Sequence, residues 1–510
     1  MNRTSLPWLP LAAGSILLVY AGLNPASAQS AEAALGTFEG HADVGAVLHP
    51  GAVEYDPSRH TYQVAGSGDN MWAAADAFQF VWKKVSGDVT LTADISILGT
   101  GGEAHRKAVL MIRQSLDADS AYADAALHGS GLTSIQSRLE KGGNSAEVQS
   151  SVSAPKRLRI AKRGDYFYIW VAAEGEELHF SGGSMRIHMT EPFYVGLGVC
   201  AHNQDNVERA VFSNVELAVS APNPAAKPLL YSTLETFPVP GDRHATYAAP
   251  GRIEAPVWAR DGASLLFSRN GGIERVKMTG GEPQPVATGS ATHSDRFHGL
   301  SPDGKQLAIT DGVQPNRAAI YVVPLDGGAP RRVTRQSPSY WHGWSPDGKT
   351  LVFTGVRKGK TDIYTIPAEG GAEVRLTTAQ GANDGAEFSP DGKYIYFNSD
   401  RAGSMQVWRM LSDGSGQEQV TSDEFSNWSP HLSPDGRRMV VLSCDRSATK
   451  LPTDQDVMLR VLLLADKRVQ TSVRLVGGRG SIDAPSWSPD GRSLAFVSYQ
   501  LIPGAAPASR

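Results

Sequence analysis

A tight turn built on Asp-Gly returns six times through the second half of this 510-residue chain. Five copies read Ser-Pro-Asp-Gly followed by Lys or Arg: Ser301 to Lys305, Ser345 to Lys349, Ser389 to Lys393, Ser433 to Arg437 and Ser488 to Arg492. The earliest copy, Ala259-Arg260-Asp261-Gly262, is degenerate. Their aspartates fall at 261, 303, 347, 391, 435 and 490, giving steps of 42, 44, 44, 44 and 55 residues. A repeat of this length with strand-like flanks predicts a propeller whose blades are four-stranded sheets. The copy at 389 displays the unit. Ala386-Glu387-Phe388 enters the turn and Tyr394-Ile395-Tyr396-Phe397 leaves it; Gln406 to Met410 is a third strand and Glu418 to Thr421 a fourth.

The turn recurs for a physical reason. Proline presets φ at the second position of a type I turn, aspartate fits the third and bonds nearby amides, and glycine takes the positive φ that follows. Three residues before each aspartate stands Trp258, Leu300, Trp344, Phe388, Leu432 or Trp487. A large apolar side chain at one register in every repeat predicts packing between neighbouring blades.

These repeats resemble the TolB-type propeller family, whose unit reads Trp-Ser-Pro-Asp-Gly-Lys and then an apolar strand ending in Phe. Trp344 to Lys349 with Leu351-Val352-Phe353 fits that unit, and Trp487 to Arg492 with Leu494-Ala495-Phe496 comes close. The resemblance runs over roughly residues 229–500 and implies six blades. The last repeat ends after about two strands, so residues 229–248 are expected to supply the missing ones and close the ring. The long final step is assigned to a loop around Ser447 to Gln455. In TolB itself the propeller follows a small α/β domain and works in an envelope complex with a peptidoglycan-associated lipoprotein. A different domain stands in that place here, so that partner does not transfer. Prolyl oligopeptidase-like peptidases share the repeat, but this chain has no Gly-x-Ser-x-Gly elbow.

Residues 36–219 follow another pattern. Val89 to Ile95 alternates apolar and polar residues, and similar runs lie at Lys107 to Arg113, Arg157 to Ile160, Tyr166 to Val171, Phe193 to Val199 and Ala210 to Leu217. Lys162-Arg163-Gly164-Asp165 reads as a hairpin turn. Strands of this length without a helical period predict two packed sheets. Their order, from Lys84 to Val89 through Leu110 to Arg113 and Arg157 to Ile160 to Phe193 to Val199, resembles a concanavalin A-like sandwich. The expected fold is therefore all-β, a concanavalin A-like β-sandwich at 36–219 and a six-bladed propeller at 229–510. Residues 220–228, rich in Pro and Ala, form a short spacer between them.

Arg3, the apolar stretch Leu11 to Leu23 and Ala26-Ser27-Ala28 read as a signal peptide cleaved near Ala28, which implies a periplasmic or secreted protein. The apolar stretch falls short of the roughly 20 residues that a membrane span needs. Charge is nearly balanced, 48 basic against 52 acidic residues, which argues against a general nucleic-acid binder. The two cysteines, Cys200 and Cys444, lie in different predicted domains; a disulfide and two separate buried thiols both fit them.

Candidate function lies where the repeats disagree. Seven residues before each aspartate stand Glu254, Arg296, Tyr340, Asp384, Trp428 and Asp483; five before stand Pro256, His298, His342, Ala386, Pro430 and Pro485. Variation at one register of a regular repeat fits a grafted site at the channel mouth, and equally fits unconstrained loop residues. His298 and His342 occupy equivalent places in adjacent blades and suggest either a shared divalent metal or histidines lining a wet channel. No cofactor is otherwise expected. In the first domain Trp72, Trp82, Arg113, His128 and His202 are types that stack on or hydrogen-bond to sugars, with Trp82 also placed for a core role. Two readings follow. One is an exported, non-enzymatic protein whose propeller binds a protein or peptide and whose sandwich binds glycan or envelope material. The other is a carbohydrate hydrolase or lyase with its site at the mouth, using Arg296, His298, His342 and Asp384.

Overall fold

Each Ser-Pro-Asp-Gly turn is locked by its own side chains. In the computed structural model, which describes residues 35–221, 228–291, 293–312, 317–326 and 328–502, Ser389 Oγ donates to Asp391 Oδ1 at 2.6 Å and accepts from the Tyr394 amide at 2.9 Å. Asp391 Oδ1 also accepts from the Lys393 amide at 3.0 Å. The serine bond and then this amide hold the Asp391 carboxyl below the usual carboxylate range. The same arrangement recurs at 301, 345, 433 and 488. Gly392 sits at φ 70°, where any side chain would be strained.

The turns lead into five four-stranded antiparallel sheets, Ile253–Trp258 to Gln284–Pro285, Ser294–Leu300 to Arg331–Arg332, Ser339–Trp344 to Val374–Arg375, Asn383–Phe388 to Glu418–Gln419, and Phe425–Leu432 to Val469–Gly477. Together they make a β-propeller, with no α-helix among the described residues. The strand ahead of the first turn, Leu229–Pro238, pairs with both Arg243–Pro250 and the last strand, Ser493–Ile502. Trp487 bridges Leu494 on its inner side. This set packs Phe237 and Phe496 into the core of the fifth sheet, and Leu234 and Val497 into that of the first.

The large residue before each turn joins neighbours, as its register predicts. Trp344 Nε1 donates to the Gly299 carbonyl of the preceding sheet at 3.0 Å. Trp258 bonds Ser486 and Trp487 bonds His431 in the same way, at 3.1 and 3.0 Å. Only part of the long final step is the loop between Arg438–Asp445 and Gln455–Leu463. The outer strand of that sheet, Val469–Gly477, has nine residues where the other four have two.

The first half forms two sheets. One carries, in order, Gly40–Val44, Phe78–Val85, Phe193–Cys200, Lys107–Arg113, Tyr122–His128, Thr133–Arg138 and Ser145–Gln149; the other has seven strands from His179–Arg186 to Ala52–Asp56. Leu110, Ile112, Ile135 and Leu197 from the first meet Leu91, Ile160, Phe167 and Phe212 from the second in one core. Cys200 and Cys444 are free and buried, and burial pushes each thiol up to about 11.

Strand pairing joins the two halves beyond the expected short spacer. Ser145–Gln149 pairs parallel with Arg243–Pro250 through Val148–Arg243 and Gln149–His244, so the first sheet runs on into the propeller as ten strands. Thr233 Oγ1 donates to the Gly182 carbonyl at 3.1 Å, and Arg186 pairs with Asp456 at 2.5 Å. Gly182 is at φ 85°, and a Cβ there would lie 2.8 Å from side-chain carbons of Ala245 and Thr233. Residues 222–227 of the expected spacer, residues 1–34 with the expected signal peptide, and the chain end after 502 lie outside the described residues.

The Trp487 bond yields a prediction. Trp487→Phe keeps an aromatic ring but removes the indole N–H and part of the core volume, stranding the buried His431 carbonyl, so it should lower unfolding stability by about 2 kcal/mol, read as a shift in urea midpoint with unchanged slope.

Candidate functional site

Every inner strand of the five sheets carries a register irregularity at the disputed register: between Glu254 and Val257, Ser294 and His298, Trp341 and Gly343, Asp384 and Glu387, and Trp428 and His431. A bulge adds a residue to one strand and re-aims its side chains. At three equivalent positions the backbone turns left-handed, Ala255 at φ 53°, Gly385 at 62° and Ser429 at 50°. Alanine and serine adopt that conformation at a cost of roughly 1 kcal/mol, which the surrounding packing must offset.

The bulges open onto two adjoining cavities of about 460 and 480 Å³ that share Arg296, Phe297, Thr361, Asp384 and Arg479. Arg296 is ion-paired with Asp483 and lies over the Phe297 ring at 4.2 Å. Asp483 also accepts from the Gly480 amide at 2.9 Å. Opposite, Asp384 Oδ1 accepts from His342 Nε2 at 3.0 Å, Thr354 Oγ1 at 2.7 Å and the Gly385 amide at 2.9 Å. Burial alone would raise this carboxyl, but the His342 bond and charge, with Thr354 and Gly385, hold it down at about 2. All three bonds fall on one oxygen, and 41% of the side-chain surface still faces the cavity. Oδ2 is therefore the acceptor left for a ligand.

Tyr340 packs against Phe297 at 5.7 Å and lines the second cavity; Trp428 lines the first with only an edge, being 7% exposed. Two expected residues stand apart from both cavities. His298 is fully buried, and Glu254 lies over Gly480 beside Tyr499. Among the described residues no group of three His, Cys, Asp or Glu is placed to hold a metal.

Other residues at the mouth carry no repeat signal. Lys450 and Arg479 come from the two segments that lengthen the last step, joined where the Arg479 amide bonds the Pro452 carbonyl at 2.8 Å. Both side chains are exposed, and among the described residues neither has an ionic or hydrogen-bonded partner. His431 bonds Glu387 through Nδ1 at 2.6 Å and the Ile482 carbonyl through Nε2 at 2.5 Å. These two bonds tie the fourth and fifth sheets to the segment around Ile482. The anomalous 55-residue step was the one signal that pointed to this region.

In the first half the structure brings three of the five expected residues together. Lys107 Nζ lies 5.6 Å from the Trp72 ring and bonds Asn70, the Met71 carbonyl and Gln136; Gln136 reaches His128, and His105 stands between His128 and His202. Arg113 is elsewhere, fully buried against Asp76 with Arg138, and Trp82 packs edge-on to Tyr194. Beside Lys107, Asp124 is buried with neither carboxylate oxygen hydrogen-bonded to a described residue, and burial raises it to about 8.

The fold and this mouth define a β-propeller of the kind that carries its variable residues at one end of the channel. A profile of the TolB beta propeller domain matches residues 299–468. An uncharacterised protein of Agrobacterium fabrum, Atu1656, is 42% identical over 270 residues, which is 52% of this chain and 92% of that protein. A solved structure described as a candidate TolB from Agrobacterium tumefaciens is 41% identical with a TM-score of 0.51, covering 53% of this chain and 99% of its own. TolB from Acinetobacter baumannii is 19% identical with a TM-score of 0.40, over 49% of this chain and 64% of its own. The chain belongs to the TolB-type propeller family.

Asp124 gives a pH test. Its carboxyl ordinarily titrates near 3.9 in an unfolded chain and near 8 in the fold. Its contribution is therefore complete below about pH 4 and lost as pH rises through 8. Asp124→Asn should flatten the fall of melting temperature across that window, measured by calorimetry at successive pH values.

Proposed function

We propose that this is an exported, non-enzymatic binding protein whose propeller mouth holds a segment of a protein or peptide partner. The observation that carries the reading is the geometry of Asp384, whose Oδ1 takes three hydrogen bonds while the rest of the carboxylate faces the cavity. A carboxylate held near 2 is a poor proton acceptor at neutral pH, and catalytic bases work best with values near the operating pH. The same ionised group, with one oxygen open to the cavity, suits a steady charge-assisted bond to a partner's N–H. Exposed Lys450 and Arg479 add a cationic rim that would guide an acidic stretch of the partner.

On this reading the sheet of Ser493–Ile502, Leu229–Pro238 and Arg243–Pro250, with the Trp487 bridge, counts as a sixth blade. The two-sheet first half is of the concanavalin A-like kind and contacts a glycan through the Trp72, His128 and His202 region. Export follows cleavage near Ala28, to the periplasm or to the outside of the cell. No cofactor enters the proposal.

The test is a photoreactive amino acid at Thr361, inside the mouth, in cells producing the full chain. A discrete protein adduct is expected, reduced about tenfold in the Asp384→Asn, Arg479→Ala double variant, as removal of contacts at a binding centre should do. Equal crosslinking from Val374, exposed on an outer strand, or an adduct indifferent to the double variant, would show that the mouth is not the contact. A glycan array without a hit would remove the glycan part.

A further inference from the structure

The largest of the described cavities, about 650 Å³, lies between the two-sheet half and the propeller. It lies within the usual range for small-molecule sites, which favour such junctions. Its apolar lining comes from both sides: Leu139, Tyr166 and Met185 from the first half, Phe425, Met458 and Val476 from the propeller. Leu139, at its rim, is 46% exposed.

The charges around the cavity are mostly committed. Asp165 meets His188 Nδ1 at 3.2 Å, Asp456 meets Arg186 at 2.5 Å, and Arg243 grips Glu235 through two bonds of 2.7 Å. Asp445 is turned into its own loop, where Oδ1 accepts from the Ser447 amide at 2.8 Å and its hydroxyl at 2.6 Å. Arg474 differs. It is exposed on the outer strand of the fifth sheet, and among the described residues its guanidinium has no acceptor. An uncommitted guanidinium beside an apolar chamber selects a ligand with a carboxylate at one end and an apolar body behind it.

We infer that this interdomain cavity binds a small amphipathic carboxylate, with Arg474 holding the carboxylate and the Tyr166, Met185 and Met458 side chains enclosing the apolar part. The site needs both halves of the chain, since neither supplies the guanidinium and the full apolar lining alone. It does not depend on what occupies the channel mouth.

Octanoate is the probe, titrated into the full chain by calorimetry beside octanol and octylamine. Octanoate should bind in the millimolar range or tighter, with the other two at least about tenfold weaker, the loss expected for one charge-assisted bond. Arg474→Ala, a surface change, should weaken octanoate by a similar factor, and Arg474→Lys should restore part of it. Asp384→Asn at the channel mouth should leave octanoate affinity as in the parent. No octanoate binding at several millimolar, equal binding of octanol, or affinity lost in Asp384→Asn but kept in Arg474→Ala would each overturn the inference.

Discussion

The propeller depends on a hydroxyl and a carboxylate two residues apart. Ser Oγ bonded to Asp Oδ1 at about the same length in five turns fixes the entry of each second strand, and the glycine that follows is the point where neighbours meet. The Gly348 position faces Pro302 of the preceding turn, Gly392 faces Pro346, Gly436 faces Pro390 and Gly491 faces Pro434, all within 4 Å of where a Cβ would be. A turn residue chosen for its φ thus also serves as the socket for the next blade. Trp258, Trp344 and Trp487 each add a bond to the preceding repeat, so local turn geometry becomes ring geometry.

Rigidity at that end frees the other. Because register is pinned at the turn, each inner strand can bulge near its start without slipping, and the bulge aims a different side chain at the channel in each sheet. The mouth then gains polar pairs between separate segments of the ring, Arg296 with Asp483 and His342 with Asp384. His431 meets both Glu387 and the Ile482 carbonyl. The two-sheet half is joined by strand pairing and by close approach at Gly182. The cavity at that joint is therefore bounded by fixed walls.

Much of the architecture was legible in the sequence, and much less of the site. The repeat period, the packing role of Trp344 and Trp487 and the two-sheet first half follow from spacing and alternation. Of the residues expected at the mouth, Arg296, Tyr340, His342, Asp384, Trp428 and Asp483 line its cavities, while His298 turns into the interior and Glu254 stands aside. Register set six of them at one position and the two histidines at another, and a one-dimensional repeat carries no information on how the bulge in each strand aims them. Arg479 and Lys450 were invisible for another reason: they belong to irregular segments with no counterpart in the other repeats.

What the sequence determined by itself is the propeller and its turns, because Ser, Pro, Asp, Gly and the following strand interact within six residues and need no distant partner. What the tertiary structure decided is the set of groups that converge. Arg296 finds Asp483 and Arg186 finds Asp456 only once the ring has closed and the first half has docked, and among the described residues Arg474 has no acceptor. Those pairings join segments far apart in the chain, and their geometry depends on bulges and loops whose conformation is set by packing.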